Sequence, residues 1–231
     1  MLLLAPLVPL YYFLYKMHLS LYRLGLLKQH SSKKHYVISV GNLAVGGAGK
    51  TPFVGLLISS LTKSNTKCCV VSGGYKKRLS GEHNLNKKTI KNFSAQDVGD
   101  EPYMLFQQTG VPVFVGNKKK SLSLAFSKNL FSHIVVDDGY QSHYIKKDFN
   151  ILLIDCSLSL KKYKLFPRGV LREPLAAIKR ANLIVFTKTN LCLEADLKEK
   201  MSFFLQHINE KKQKVLWSSF KACLLVNKKN I

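Results

Sequence analysis

Short apolar blocks recur along the chain, bounded by polar or glycine-containing stretches, and they set the expected architecture. Residues 37–40, 67–72, 111–115, 133–138, 150–155 and 182–187 are rich in Val, Ile, Leu, Phe and Cys with little polar alternation. Runs of this kind read as strands buried on both faces, the pattern of a parallel sheet covered by helices. Between them, residues 52–63, 103–109, 117–128 and 193–214 read as helices, and 215–217 begins another strand. The alternation predicts an α/β fold, a mostly parallel sheet flanked by helices. The stretch 81–92 is polar and lysine-rich and reads as an exposed excursion.

The N-terminus departs from this alternation. Residues 1–15 carry no charge, and Lys16, His18 and Arg23 then enter among further Leu and Tyr. A cleavable signal wants a basic start and small residues at a cleavage site, and neither is evident. A spanning helix wants about 20 mostly apolar residues, and this run is shorter and holds Pro6 and Pro9. A membrane-associating helix lying in the interface fits better, with Lys and Arg reaching anionic headgroups. A short spanning segment and an ordinary core helix are the alternatives. The chain thus divides into an apolar membrane-associating segment, 1–30, and a globular domain, 31–231.

Charge changes the list of partners. Lys and Arg number 36 against 13 acidic residues, a formal net charge of +23. Such a field favours nucleotide phosphates, an anionic membrane surface or nucleic acid, yet no RNA- or DNA-reading module is recognisable, so no nucleic acid partner is expected. Taken singly, the lysine runs 87–88, 118–120 and 228–229 read as solvated surface. Cys68, Cys69, Cys156, Cys192 and Cys223 show no C-x-x-C spacing. They read as free thiols in a reducing compartment. No obligate protein partner is evident.

The candidate chemistry begins where the 37–40 block runs into Gly41-Asn-Leu-Ala-Val-Gly-Gly-Ala-Gly-Lys-Thr51. Strand, glycine-rich turn and Gly49-Lys50-Thr51 at a helix start form the phosphate-binding arrangement of P-loop NTPases. Residues 46–49 lack large side chains, so N–H groups of Gly46, Gly47, Ala48 and Gly49 can close on a phosphate. Lys50 would reach the β/γ-phosphates of ATP and the Thr51 hydroxyl would ligate Mg²⁺. The general pattern places a glycine where Ala44 stands.

The 133–138 strand ends in Asp137-Asp138-Gly139, which resembles a Walker B element holding Mg²⁺ opposite the P-loop hydroxyl. Adjacent strand residues point to opposite sides, so one carboxylate is expected on the metal and the other on a neighbour. A plain strand-end turn is the bland alternative. Asp100 and Glu101, ahead of Pro102, suit a helix start and are also candidates to orient or deprotonate an acceptor hydroxyl. Arg168 and Arg172 could supply positive charge to a phosphate.

In order, Val40-Gly-Asn-Leu-Ala-Val-Gly-Gly-Ala-Gly-Lys-Thr-Pro52, Val98-Gly-Asp-Glu-Pro102, Val113-Phe-Val-Gly116, Asp137-Asp-Gly-Tyr-Gln141 and Gly169-Val-Leu-Arg-Glu-Pro174 resemble the tetraacyldisaccharide 4′-kinases of lipid A (lipopolysaccharide) biosynthesis. The likeness spans nearly the whole chain and includes the missing first glycine and Tyr22-Arg-Leu-Gly-Leu-Leu27. It implies transfer of the ATP γ-phosphate to the 4′-hydroxyl of a membrane-embedded acylated glucosamine disaccharide, at the cytoplasmic face of the bacterial inner membrane. By motif position Asp100 and Lys50 would be catalytic, with Thr51, Asp137 and Asp138 serving Mg²⁺ and Glu101, Arg168 and Arg172 facing substrate.

The chain departs from that family at particular positions. Gly73 stands where the family usually has Arg in Ser-Arg-Gly-Tyr, Ser142 where Asp-Asp-Gly-x-Gln is followed by His, and Val170 where Pro is usual. Family members are longer, and the Asp-His-His motif of their C-terminal lobe has no counterpart after Asn190, His207 being in a different setting. The C-terminal lobe is therefore expected to be incomplete. Two rival readings follow: a P-loop NTPase of other specificity, or a catalytically impaired membrane-bound homologue that still binds nucleotide. Against a GTPase, Thr187-Lys188 ends a suitable strand but the Asn-Lys-x-Asp guanine signature is missing.

Overall fold

The computed structural model describes residues 6–219 and 221. Its strands are β1 (Tyr36–Asn42), β2 (Cys68–Ser72), β3 (His83–Leu85), β4 (Val113–Val115), β5 (His133–Asp137), β6 (Phe149–Asp155), β7 (Leu183–Thr187) and β8 (Lys214–Trp217). They form one sheet in the order β3-β4-β2-β5-β1-β6-β7-β8, parallel throughout except where β3 runs against β4. The helices are α1 (Leu7–Arg23), α2 (Lys50–Lys63), α3 (Ala95–Val98), α4 (Asp100–Thr109), α5 (Lys118–Ser127) and α6 (Glu194–Leu205). This is the α/β arrangement that the apolar blocks predict.

The central strands are apolar on both faces because both faces are covered. β1 is buried from Val37 through Asn42, and β2 throughout its length. Val54 and Ile58 of α2 pack with Val40, Val70 and Leu105 on one side, while Leu122 and Ala125 of α5 pack with Val71 and Ile134 on the other. A further cluster around Leu152, Ile184, Phe186 and Phe204 closes the β6–β7 half. β1 lies between β5 and β6, with β2 and β4 beyond β5 and with β7 and β8 beyond β6. Chain direction across the sheet thus switches at β1, and ligands of open α/β sheets bind at such a switch, outside the carboxyl ends of the strands.

Two expected boundaries change. Within 81–92, residues 83–85 form the edge strand β3, because Leu85 is wholly buried beneath β4 while its polar neighbours stay outside. The helix expected over 193–214 ends at Leu205. The loop after it is sewn down by Gln213, whose amide nitrogen donates to the carbonyls of Ile178 and Ala181. Cys68, Cys69, Cys156 and Cys192 are free thiols, and Cys223 lies outside the described residues.

α1 begins beyond Pro6 and buries none of its residues fully. Leu10 (55%), Phe13 (62%) and Leu14 (48%) are exposed, while Tyr11 and Tyr15 turn inward and hydrogen-bond to Arg172 and Arg180. Among the described residues no helix is long and apolar enough to cross a membrane.

Candidate active site

The turn after β1 is braced from two directions. Val45 N–H donates to the Val170 carbonyl and Arg172 N–H to the Leu43 carbonyl, each at 2.8 Å, with Ala44 opposite Leu171 in an antiparallel bridge. Ala44 is therefore extended, a conformation open to any residue, which is why no glycine is needed there. Positive φ falls later, at Gly46 (129°) and Gly49 (77°). A Cβ placed at Gly46, Gly47 or Gly49 would meet no atom within 4 Å, so the loop borders open space that a phosphate can occupy. From β7, Thr187 Oγ1 donates to the Ala48 carbonyl at 3.0 Å. Asn42 holds the interior of the turn, its amide donating to the Ala44 carbonyl at 2.6 Å and accepting from Lys50 Nζ at 3.2 Å.

Opposite the loop, β5 ends in the two carboxylates, and they differ. Asp137 is buried, its Oδ1 without a hydrogen-bond partner among the described residues. Burial raises its carboxyl to about 6, Glu101 and Asp138 add to the rise, and Lys118 and Lys50 oppose it. Asp138 leaves the strand in a left-handed conformation (φ 48°). Its carboxylate meets Arg172 Nη1 at 3.1 and 3.3 Å and Lys50 Nζ at 3.5 Å. Burial alone would push it up; the three cations Lys50, Lys118 and Arg172 outweigh that and hold it below the usual carboxylate range.

Lys118 is the site residue that the sequence hides. It begins α5, whose N-cap Asn117 accepts from the N–H groups of Lys119 and Lys120. Rather than solvated surface, its side chain lies in the cleft with Nζ donating to the Asp138 carbonyl at 2.7 Å. Burial lowers its pKa, against the pull of Asp138 and Asp137. A Cβ on Gly73 would lie 3.4 Å from Lys118 Cε, so the missing side chain at 73 leaves the room that this lysine fills. Gln141, the last residue of the Asp137-to-Gln141 motif, donates to the Asn42 carbonyl at 2.7 Å and ties the carboxylate strand to the loop.

These groups enclose a cleft of about 260 Å³ lined by Gly73, Tyr75, Glu101, Lys118, Asp137 and Asp138. Glu101 is thus brought to the carboxylate pair, whereas Asp100 sits exposed beside it at the start of α4, outside the lining. Arg172 joins the cluster. Arg168 lies exposed in the turn before Gly169, with no hydrogen bond or ion pair from its side chain among the described residues. Across the loop, a second hollow of about 240 Å³ is bounded by Gly49, Phe53, Leu56, Thr187, Lys188 and Ser218.

Three features suit a phosphate-bound divalent cation: the orphaned Oδ1 of Asp137, the neighbouring Asp138, and Thr51 in the first turn of α2. Among the described residues no group of three or more His, Cys, Asp or Glu could hold a metal. Two carboxylates and a hydroxyl are the donor set of Mg²⁺ sites, where phosphate oxygens and water complete the shell.

The sequence profile of the tetraacyldisaccharide-1-P 4′-kinases matches residues 1–229. The chain belongs to this family. Tetraacyldisaccharide 4′-kinases of Bdellovibrio bacteriovorus and Geobacter sulfurreducens are 37% and 40% identical over 164 and 156 residues. The alignments take in 70% and 66% of this chain but 48% and 44% of those proteins, so the chain spans about half the length of the curated relatives it matches. The crystal structure of LpxK from Aquifex aeolicus in complex with ATP superposes with a TM-score of 0.72 at 31% identity, covering 94% of this chain and 80% of that one. Within the family frame, β1, the loop and α2 are the P-loop element, and the β5 carboxylates face it.

Proposed function

We propose that the chain binds Mg²⁺·ATP at the P-loop and transfers the γ-phosphoryl group to the 4′-hydroxyl of a tetraacylated glucosamine disaccharide 1-phosphate, a step of lipid A biosynthesis. The observation that carries this reading is the meeting of Lys50, Lys118 and Arg172 with the Asp137–Asp138 pair beside a glycine loop that borders open space. The ATP of the Aquifex structure and the activity named for the Bdellovibrio and Geobacter relatives support it.

In this reading the nucleotide base occupies the hollow beside Thr187 and Lys188, and the phosphates lie over residues 46–51. Lys50 exchanges Asp138 for the β/γ-phosphate oxygens, a charge-assisted contact of the kind P-loop lysines make. Thr51, Asp137 and Asp138 are the groups that would hold Mg²⁺, which would offset the negative charge of the phosphates. Asp100, exposed next to the cleft-lining Glu101, takes the proton of the acceptor hydroxyl as the hydroxyl oxygen bonds to the γ-phosphorus and ADP leaves. Glu101 and Arg168 contact the substrate, and Arg172 stabilises the charge spread over the transferred group.

α1 then lies in the interface of the cytoplasmic leaflet, with Leu10, Phe13 and Leu14 toward lipid and Lys16 and Arg23 toward anionic headgroups. Transfer of radiolabelled γ-phosphate to the disaccharide in detergent micelles is the deciding assay. Lipid-dependent product is expected. ATP binding without transfer would favour the impaired homologue, a reading prompted by Ser142 in the family's His position, and hydrolysis indifferent to lipid would favour another P-loop NTPase.

A further inference from the structure

On the flank of the sheet beneath α1 lies a second basic hollow, separate from the cleft at Asp137. It measures about 210 Å³ and is lined by Gln29, His143, Lys146, Lys147, Asn150 and Arg180. Lys147 reaches in from behind, one hydrogen bond from Nζ going to the Tyr140 carbonyl at 2.9 Å, which leaves two of its three ammonium protons free of that bond. Arg180 stacks over the Tyr140 ring with its guanidinium 4.8 Å from the centroid, and it pairs with Glu173. Glu173 also accepts from His143 Nε2 at 2.9 Å, so the nearest carboxylate is already shared between two partners. Among the described residues no Asp or Glu lines the hollow itself. Asn150 adds a side-chain oxygen that is buried without a partner among the described residues.

The balance is a surplus of positive charge held partly out of water. Burial first, and Arg180 second, push Lys147 down to about 7, so its setting costs this group part of its charge. An anion with several acceptor oxygens answers all of these features: it pairs with Lys146, Lys147 and Arg180, and its oxygens accept from Gln29. A protonated phosphate oxygen or a sugar hydroxyl would in turn donate to Asn150.

Position narrows the anion. The lip of the hollow is α1, since Tyr15 Oη meets Arg180 Nη1 at 3.3 Å and the rings of Tyr15, His18 and Tyr22 lie 6.3 to 6.4 Å from that of His143. An anion seated there would sit at the level of the helix read as the lipid contact. The hollow is also coupled to the transfer centre along the chain: Tyr140 follows Asp138 by two residues, no more than about 7 Å of backbone, and Glu173 follows Arg172. The family's acceptor is named a disaccharide with a phosphate at position 1, on the other sugar from the 4′-hydroxyl. That phosphate therefore lies across both sugar rings from the reacting oxygen.

We propose that this hollow binds a lipid-borne phosphomonoester, and that in the productive complex it is the 1-phosphate of the acceptor. The assignment to the acceptor rests on the kinase reading; the phosphomonoester chemistry rests on the hollow alone. The site would fix the disaccharide at the end remote from transfer, so that the 4′-hydroxyl meets the γ-phosphate at Asp138 and Arg172.

The test is equilibrium binding of the full chain without nucleotide, which makes it independent of turnover. Three micelle-borne probes are compared: the tetraacylated disaccharide 1-phosphate, the same disaccharide with the 1-phosphate removed, and phosphatidic acid. Wild type is expected to prefer the 1-phosphate form at least tenfold. Lys146→Ala and Lys147→Met should each bring that preference toward one, and Lys147→Arg should restore most of it. Because Lys147 is half-buried and its loss could unfold the chain, the exposed Lys146 tests the same charge without that risk. If wild type itself treats the two disaccharides alike and the variants lose only phosphatidic acid, the phosphomonoester site stands and its source is a headgroup. If neither substitution changes any probe, the proposal is overturned. Loss of γ-phosphate transfer by wild type, with the 1-phosphate preference intact, would instead count against the kinase reading and leave this site standing.

Discussion

The hydroxyl of Tyr11 donates to the carbonyl oxygen of Arg172 at 2.7 Å, across 161 residues of chain, and so fastens the first helix to the segment that faces Asp138. One turn on, Tyr15 reaches Arg180, the partner of Glu173. Residues four apart on a helix share a face, and here that face is polar while the outer one is apolar. The helix proposed to face lipid is thus fastened to the same strip of chain, 170–173, that braces the P-loop.

Since α1 buries no residue fully, these hydroxyls carry much of its docking. Each such hydrogen bond is worth about 1 kcal/mol net, so Tyr11→Phe alone should loosen α1 only slightly. The double variant Tyr11→Phe, Tyr15→Phe should speed limited proteolysis within residues 7–23 by about tenfold. It should also raise KM for the lipid acceptor and leave ATP affinity within twofold. Protection equal to wild type would show that ring contacts, not hydroxyls, hold the helix.

Asp137 predicts a pH-dependent gain in stability when its charge is removed. Its folded carboxyl titrates at about 6, above the ordinary value of 3.8 that serves for the unfolded chain. For a group raised in this way the folded state holds the extra proton between those values, so stability falls as pH rises through the window and the full cost is present above it. Asp137→Asn should therefore raise the metal-free melting temperature at pH 8, by the equivalent of ~3 kcal/mol, and change it little at pH 3.5. A variant that melts lower than wild type at pH 8 would mean that the ionised carboxylate is paired in solution.

The P-loop and the strands around it were legible because their signals are local: an apolar run, a turn without large side chains, and Gly-Lys-Thr at a helix start. β3 was not, since its one apolar contribution is Leu85, and only pairing with β4 makes three residues a strand. Lys118 reads as one of three surface lysines until the Asp138 carbonyl, 20 residues away, is folded against it. The helix over 193–214 looked longer than it is because Gln213 spends its amide on the carbonyls of Ile178 and Ala181, partners that no periodicity reveals. In each case a contact distant in sequence decided the outcome.

Two glycines of the site should answer differently to a methyl group. Gly74 has φ 65°, and a Cβ there would lie 2.6 Å from Val115 Cγ1 and 2.9 Å from the Val98 carbonyl oxygen. Strain and overlap together should make Gly74→Ala cost about 2–4 kcal/mol, read as a lower denaturant midpoint. Gly47 has no positive φ, and its Cβ would meet nothing within 4 Å. Gly47→Ala should keep the wild-type midpoint while weakening ATP at least tenfold, about 1.4 kcal/mol, because the methyl group enters space that only the phosphate fills. A normal ATP affinity in that variant would place the phosphates elsewhere on the loop.

The two carboxylates that open α4 should separate in the same manner. Both are exposed, but Glu101 lines the cleft and is close enough to Asp137 to raise its carboxyl, whereas Asp100 stands beside the lining. A group that only accepts the acceptor's proton contributes to the transition state and not to nucleotide binding, so its removal falls on turnover. Asp100→Ala is expected to lower kcat by about 10² to 10⁴, the usual contribution of a general base, with the Kd for ATP within twofold of wild type. Nucleotide binding by fluorescence and initial-rate kinetics on one preparation give both numbers. A parallel loss of ATP affinity would move Asp100 from the acceptor to the nucleotide and leave Glu101 as the carboxylate nearest the reacting oxygen.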